Sequence, residues 1–137
     1  MSDENVEIVR GVYDAAARRD GAGVLAAYDA EVEWDVSRAA IAPLVGERIY
    51  HGHQGLRRFF DDYHDAWEQI DYRYDELIDA GEHVLSVDVE SGLGRSSGAE
   101  VEFTQYAVWT IRDRKIVHVR WFADRDEALE AAGLEPD

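Results

Sequence analysis

The alternation of apolar and polar residues is longest in the last third of the chain, between Glu100 and Ile111. Its odd-numbered positions are Val101, Phe103, Gln105, Ala107, Trp109 and Ile111. A period of two places this set on one face of a β-strand. Gln105 is its one polar member, and an amide among apolar side chains is costly unless it is hydrogen-bonded. We therefore expect this strand to wall a core or an apolar pocket, with Gln105 as the polar anchor.

Periodicity predicts the other elements as well. Helical spacing of apolar residues predicts three helices, at about 2–19, 22–28 and 54–67. Alternation predicts a short strand at 32–35 and then a four-strand meander at about 70–79, 85–90, 100–111 and 116–122. The order helix, helix, strand, helix and meander predicts an α+β fold, in which helices lie on a mainly antiparallel curved sheet.

Composition limits the partners and the compartment. The chain has 137 residues, of which 46 % are hydrophobic, and this favours a single domain spanning 1–137. Its 30 Asp and Glu outnumber 14 Lys and Arg, so we expect neither nucleic acid nor a membrane as a partner. The acidic N-terminal segment does not resemble a signal peptide, so a cytoplasmic protein is expected.

Metal-ligand patterns are missing from the sequence. There is no cysteine, which removes thiolate metal sites and thiolate nucleophiles together. His51 and His53 flank one glycine and the other three histidines are scattered, without the helical spacing of a zinc or iron site. We expect no metal and no cofactor.

Short segments along nearly the whole chain form a further pattern. They are Tyr28-Asp29 to Val32-Glu33-Trp34, Tyr50-His51-Gly52-His53-Gln54-Gly55, Ser97-Gly98, Arg112-Asp113-Arg114-Lys115-Ile116 and Phe122-Ala123-Asp124-Arg125-Asp126-Glu127-Ala128-Leu129. In this order they resemble the SnoaL-like branch of the nuclear transport factor 2-like superfamily, which includes ketosteroid isomerases. The resemblance implies a cone-shaped α+β barrel, whose strongly bent sheet wraps around three N-terminal helices and leaves a pocket at the open end. This fold hosts isomerases, cyclases, dehydratases, epoxide hydrolases and non-catalytic binding proteins, so it leaves open whether the chain is an enzyme.

The resemblance also implies where isomerase chemistry would lie. Ketosteroid isomerases use an aspartate after the first strand as the base, and a helix tyrosine and a protonated strand aspartate as oxyanion donors. The corresponding positions hold Trp34, Val12 and Ala107. Neighbouring residues of suitable chemistry are Asp35, Tyr13 and Gln105, but a shift of one residue in a strand turns a side chain to the opposite face.

The catalytic candidates each have a plainer interpretation. Asp35 is either a general base or a surface carboxylate, and Tyr13 is either an acid or a core tyrosine with its hydroxyl at the pocket edge. Arg120 points outward if Val119 and Trp121 form the inner face of the last strand. An inward Arg120 beside a carboxylate would indicate oxyanion binding or epoxide hydrolysis.

Two functions are compatible with these residues. The first is a pocket protein that binds or transforms a small apolar, oxygen-bearing compound, such as a polyketide, steroid-like or terpenoid molecule. Its candidate ligand-binding residues are Trp34, Gln105, Tyr13, Phe59, Tyr63, Trp67, Phe103 and Trp109, with His51 at the rim. The second is a non-catalytic dimeric interaction module whose cone is filled by the same aromatic side chains. A cavity of a few hundred cubic ångström that reaches Gln105 would favour the first.

A homodimer is expected in either case. The resemblance implies pairing through the outer face of the sheet. That face would carry Tyr106, Val108, Thr110 and Phe122, which are apolar enough to require cover.

Overall fold

The computed structural model describes residues 2–136 and contains four α-helices and six strands. The helices are α1 (Ser2–Ala17), α2 (Gly21–Ala26), α3 (Gly52–Asp65) and α4 (Arg125–Ala131). The strands are β1 (Tyr28–Arg38), β2 (Ile49–His51), β3 (Trp67–Ala80), β4 (His83–Gly94), β5 (Glu100–Arg112) and β6 (Lys115–Phe122). A short 3-10 helix, Ala42–Leu44, lies between β1 and β2.

The strands form one sheet in the order β2-β1-β6-β5-β4-β3. The β1–β6 pair is parallel, and every other neighbouring pair is antiparallel. Helix α1 packs on β3 and β4, and α3 packs on β1 and β3. Both helices therefore lie against the inner face of the sheet. The predicted α+β class and the mainly antiparallel sheet around N-terminal helices are confirmed.

The inner helices follow the predicted apolar spacing. Val9, Val12 and Tyr13 are buried on one side of α1. Helix α3 approaches β2 so closely that a Cβ on Gly55 would lie 3.2 Å from the carbonyl carbon of Tyr50. Within residues 2–136, no helix is long and apolar enough to cross a membrane.

Several boundaries differ from the prediction because strand pairing overrides local periodicity. The second helix ends at Ala26, since Tyr28 already pairs with Ile116 of β6. The third helix ends at Asp65, since Trp67 pairs with Gly94 of β4. The first strand is 11 residues long, because β1 runs between β2 and β6. The three-residue strand β2 was not predicted.

The outer face of the sheet is covered in part by the chain itself. Val108 and Phe122 were expected to be exposed and available to a second subunit, but both are buried in a cluster with Ala128 and Leu129 of α4. Arg38 of β1 forms an ion pair with Glu127 of α4, in which Nη2 lies 2.6 Å from Oε2. The apolar area on which the expected dimer rests is therefore smaller than the sequence indicates, and the homodimer itself stays a prediction.

The inner face of β5 gives a test of the core. Trp109 is 2 % exposed, its indole Nε1 donates to Ser86 Oγ, and its ring contacts Tyr13 and Trp121. Trp109→Ala should lower the free energy of unfolding by about 3–5 kcal/mol, because it removes a large buried ring. Chemical denaturation measures the change. Thr104→Ala, at an exposed position of the same strand, should stay within about 0.5 kcal/mol of wild type. Equal effects of the two substitutions would contradict the assignment of faces.

Candidate functional site

A cavity of about 80 Å³, called here the inner chamber, lies between the helices and the inner face of the sheet. Aromatic side chains make up most of its wall: Tyr13, Tyr28, Trp34, Phe59, Phe60, Tyr63, Tyr72, Trp109 and Trp121. The alternation of β1, β5 and β6 aims the three tryptophans inward, and helical spacing on α3 does the same for Phe59 and Tyr63.

A larger groove of about 590 Å³, called here the outer groove, adjoins this chamber. Its charged lining includes Arg19, Arg57 and Asp61. Four residues line both spaces and so form the boundary between them: Ala16, Val24, Phe60 and Tyr72. A molecule that enters the inner chamber from the outer groove passes these side chains.

The polar part of the chamber wall is centred on two carboxyl groups of β4. Asp88 and Glu90 are 1 % and 3 % exposed and lie two residues apart on the same face of the strand. Tyr13 donates a hydrogen bond to Asp88 Oδ1 over 2.8 Å. Glu90 accepts one hydrogen bond on each oxygen, from the Tyr63 hydroxyl at Oε1 and from Gln105 Nε2 at Oε2, the latter over 3.1 Å.

Ser86 connects Tyr13 to the neighbouring strand β5 through hydrogen bonds. Its Oγ accepts from the Trp109 indole nitrogen over 2.9 Å and lies 3.1 Å from the Tyr13 hydroxyl oxygen. Tyr13, Ser86, Asp88 and Trp109 thus form one buried hydrogen-bonded network, and Tyr63, Glu90 and Gln105 form a second one beside it. Such a network specifies side-chain positions strongly when its members are satisfied.

Some buried polar atoms at the chamber are not satisfied. Asp88 Oδ2, Gln105 Oε1, Trp34 Nε1 and Trp121 Nε1 have no hydrogen-bond partner among residues 2–136. All four residues line the inner chamber. An unpaired buried polar atom costs free energy, so each of these atoms is available to a group that enters the chamber.

Burial determines the protonation of Asp88. Burial, and next the neighbouring Glu90 carboxyl, raise the pKa of Asp88 to about 10, while the hydrogen bond from Tyr13 opposes this shift. Asp88 is therefore neutral near pH 7 and can donate a hydrogen bond. Burial, and next the charge of Glu90, raise the pKa of Tyr63 far above its ordinary value, so its hydroxyl stays a donor.

Six of the ligand-binding candidates from the sequence line the inner chamber: Tyr13, Trp34, Phe59, Tyr63, Gln105 and Trp109. Three candidates lie outside it. Trp67 and Phe103 stack on each other with ring centroids 6.1 Å apart. Trp67 is the first residue of β3, and Phe103 lies nearer the start of β5 than Gln105. His51 is exposed at the end of β2.

The other two catalytic candidates also lie away from the chamber. Asp35 accepts hydrogen bonds from the backbone nitrogen and the hydroxyl of Ser37, at 2.9 and 2.6 Å. Arg120 pairs in register with Asp35, and its guanidinium carbon lies 5.1 Å from the centre of the Phe122 ring. Val119 and Trp121 occupy the inner face of β6, so Arg120 lies on the outer face, which is the orientation that alternation favoured.

Sequence reasoning missed Asp88 and Glu90 as site residues. Alternation in β4 separates two sets of side chains, but residues 84–90 are all buried, so either set could face inward. The signal that identifies the inner set is the register with β5, in which Asp88 pairs with Gln105 and Ser86 with Ala107. Directly opposite residues of an antiparallel pair share a face, so an inward Gln105 requires an inward Asp88.

Comparison with known proteins gives a consistent set of matches. Residues 9–119 match the family model of the SnoaL-like domain. A nuclear transport factor 2-like protein from Burkholderia thailandensis is 30 % identical over 96 % of this chain and 97 % of its own, with a TM-score of 0.76. One from Burkholderia pseudomallei is 25 % identical over 93 % and 95 %, with a TM-score of 0.77.

A more distant match is a protein of ketosteroid isomerase-like fold from Catenulispora acidiphila, solved in complex with trimethylamine. It is 15 % identical over 93 % of each chain, with a TM-score of 0.70, and at this identity the likeness shows the fold alone. No curated protein matches the chain.

The raised pKa of Asp88 predicts a pH-dependent effect of Asp88→Asn on stability. Wild-type Asp88 stays protonated when folded but ionises above about pH 4 when unfolded, so its contribution to stability falls as the pH rises towards 10. An asparagine cannot titrate. The difference in free energy of unfolding, Asp88→Asn minus wild type, should therefore increase as the pH rises from 5 to 9, by at most about 1.4 kcal/mol per pH unit.

Thermal and chemical denaturation at several pH values measure this difference. Ser86→Ala is the control, because it removes a polar partner from the same network without removing a titratable group. Its difference from wild type should stay constant with pH. A constant difference for Asp88→Asn as well would mean that Asp88 is ionised in the folded protein.

Proposed function

Because the chain belongs to the SnoaL-like domain family, we propose that it is a small-molecule pocket protein that binds or transforms an apolar, oxygen-bearing compound. The observation that carries this proposal is the group of unpaired buried polar atoms on the wall of an aromatic chamber. Ligand sites typically combine an apolar lining with a few placed polar groups that fix orientation.

The polar atoms define how such a ligand would be oriented. The neutral Asp88 carboxyl and the indole N–H groups of Trp34 and Trp121 donate to ligand oxygen atoms. Gln105 Oε1 accepts from a ligand hydroxyl, because its amide nitrogen is already engaged by Glu90. Each of these bonds offsets the cost of burying an atom that the protein leaves unpaired.

The volume of the chamber limits the part of the ligand that it encloses. A dry engineered cavity of 150 Å³ is enough for benzene, so about 80 Å³ holds roughly three or four non-hydrogen atoms. This is smaller than the few hundred cubic ångström expected of a pocket protein. A polyketide, steroid-like or terpenoid ligand would extend between Phe60 and Tyr72 into the outer groove, with one polar end in the inner chamber.

The alternative function, a dimeric interaction module with a filled cone, explains fewer features. A filled cone would still bury Asp88 and Gln105 with one unpaired oxygen each. Apolar residues of similar size would fill the space without that cost. The proposed pocket gives the network of Tyr13, Ser86 and Asp88 a role, which is to position the Asp88 carboxyl group for contact with a ligand.

A ligand screen with two matched variants tests the proposal. Native mass spectrometry and thermal shift should detect α-tetralone and menthone in preference to their hydrocarbons tetralin and p-menthane. Ala16→Phe, at the boundary of the inner chamber, should abolish the shift because its ring blocks the passage. Ala17→Phe, exposed on the same helix, should leave the shift intact.

Two outcomes would contradict the proposal. The first is equal binding by ketones and hydrocarbons in wild type, since the polar atoms would then have no role. The second is equal binding by Ala16→Phe and Ala17→Phe, since the ligand would then lie outside the chamber.

The chain should not isomerise Δ5-3-ketosteroids at an enzymatic rate. The resemblance places the base position at Trp34, which lies within β1 and whose indole nitrogen is only a donor. Asp35 accepts hydrogen bonds from Ser37 and does not line the chamber. Loss of a general base alone costs on the order of 10²–10⁴ in rate. A spectrophotometric assay with 5-androstene-3,17-dione measures this rate. Turnover by the wild-type chain that is lost in Asp35→Asn would contradict the prediction and support an isomerase with Asp35 as its base.

A further inference from the structure

Among the described residues, the lining of the inner chamber contains two acidic side chains and no basic one. The acidic side chains are Asp88 and Glu90, and none of the described residues in the wall is a lysine, arginine or histidine. The chain as a whole has 14 Lys and Arg, yet those of the outer groove, such as Arg19 and Arg57, do not line the inner chamber. Buried charges are normally paired, so this arrangement calls for an explanation.

Both oxygens of Glu90 act as hydrogen-bond acceptors. Glu90 receives a hydrogen bond on each oxygen, from the Tyr63 hydroxyl and from the Gln105 amide, which is the arrangement of a carboxylate acceptor. Both donors are neutral groups. They bring no positive charge, so Glu90 has no basic partner among the described residues that line the chamber.

An amide oxygen of the same wall is also without a partner. Gln105 is 2 % exposed and lines the chamber, and its Oε1 has no hydrogen-bond partner within the described part of the chain. Its amide nitrogen already donates to Glu90. The negative partial charge of this oxygen is therefore not offset by a donor of the protein.

The rest of the wall suits an organic cation better than a metal ion. Tyr28, Trp34, Phe59 and Trp121 surround the space with aromatic rings, whose faces attract cations. Among residues 2–136, no three acidic or histidine side chains are arranged to hold a metal ion. An inorganic cation would lose its hydration shell against rings that cannot replace it, whereas methyl groups on nitrogen pack well against them.

We propose that the inner chamber binds a methylated ammonium group, held between the Asp88–Glu90 pair and the aromatic wall. This inference rests on the proposed function and deepens it: the apolar, oxygen-bearing ligand would place a cationic group at its inner end. A trimethylammonium group has four non-hydrogen atoms, which matches the roughly three or four that about 80 Å³ can hold.

A pair of probes with the same shape and different charge tests the inference. Choline and 3,3-dimethylbutan-1-ol differ only in the exchange of a quaternary nitrogen for carbon. Isothermal titration calorimetry on the wild-type chain should show choline binding at least about tenfold more tightly, as expected of a desolvated cation over aromatic faces. The experiment is done in high salt, where exposed charges of the acidic surface are screened.

Two variants locate the binding. Glu90→Gln removes the charge and keeps the shape, so it should reduce the preference for choline at least about tenfold, with a smaller effect on the alcohol. Ala16→Phe should block both probes, whereas the exposed Ala17→Phe should block neither. Choline that binds Ala16→Phe as well as wild type would lie on the acidic surface, and the inference would be wrong.

The outcomes separate this inference from the proposed function. If the alcohol binds as tightly as choline, the cation site is overturned, while a pocket for an apolar, oxygen-bearing ligand remains. The same holds if only the ketones of the screen bind. If no probe of either set binds, both proposals fail. Should Glu90→Gln not fold, the ratio of the two affinities in wild type still decides.

Discussion

The register of β4 against β5 is the constraint on which the rest of the structure depends. It places Asp88 opposite Gln105 and Ser86 opposite Ala107, so the inner chamber receives its polar groups from two adjacent strands. A shift of one residue in β4 would turn Val87 and Val89 inward and both carboxyl groups outward. Tyr13 and Tyr63 would then lose their carboxyl acceptors, and α4 would face acidic side chains instead of an apolar surface.

Both faces of β4 are buried, and this explains how two carboxyl groups are tolerated inside a small protein. On the outer side, Leu85 and Val87 pack with Leu129 of α4 in an apolar cluster. On the inner side, tyrosine and glutamine donors reduce the cost of burying Asp88 and Glu90. Apolar burial on one face thus offsets polar burial on the other, within a single strand.

Much of the fold followed from the sequence, because β5 has an unambiguous pattern. Its one polar inward residue, Gln105, and its inward Trp109 are where alternation predicted them. The same reasoning could not orient β4, since both of its faces are buried and alternation does not say which one faces in. It also placed Trp67 and Phe103 on the chamber wall, because periodicity gives a face but not a position along the strand. Val108 is buried under α4 by tertiary packing, which local periodicity does not predict.

Alternate residues of β4 face two separate regions, the inner chamber and the cluster under α4. This affects how the sequence can change in evolution. Substitutions at 86, 88 and 90 would alter what the chamber accepts, while those at 85 and 87 would alter the attachment of the terminal helix. Since the two sets point in opposite directions, mutations in one need little compensation in the other. The lining of the chamber can therefore change in evolution while the fold stays the same.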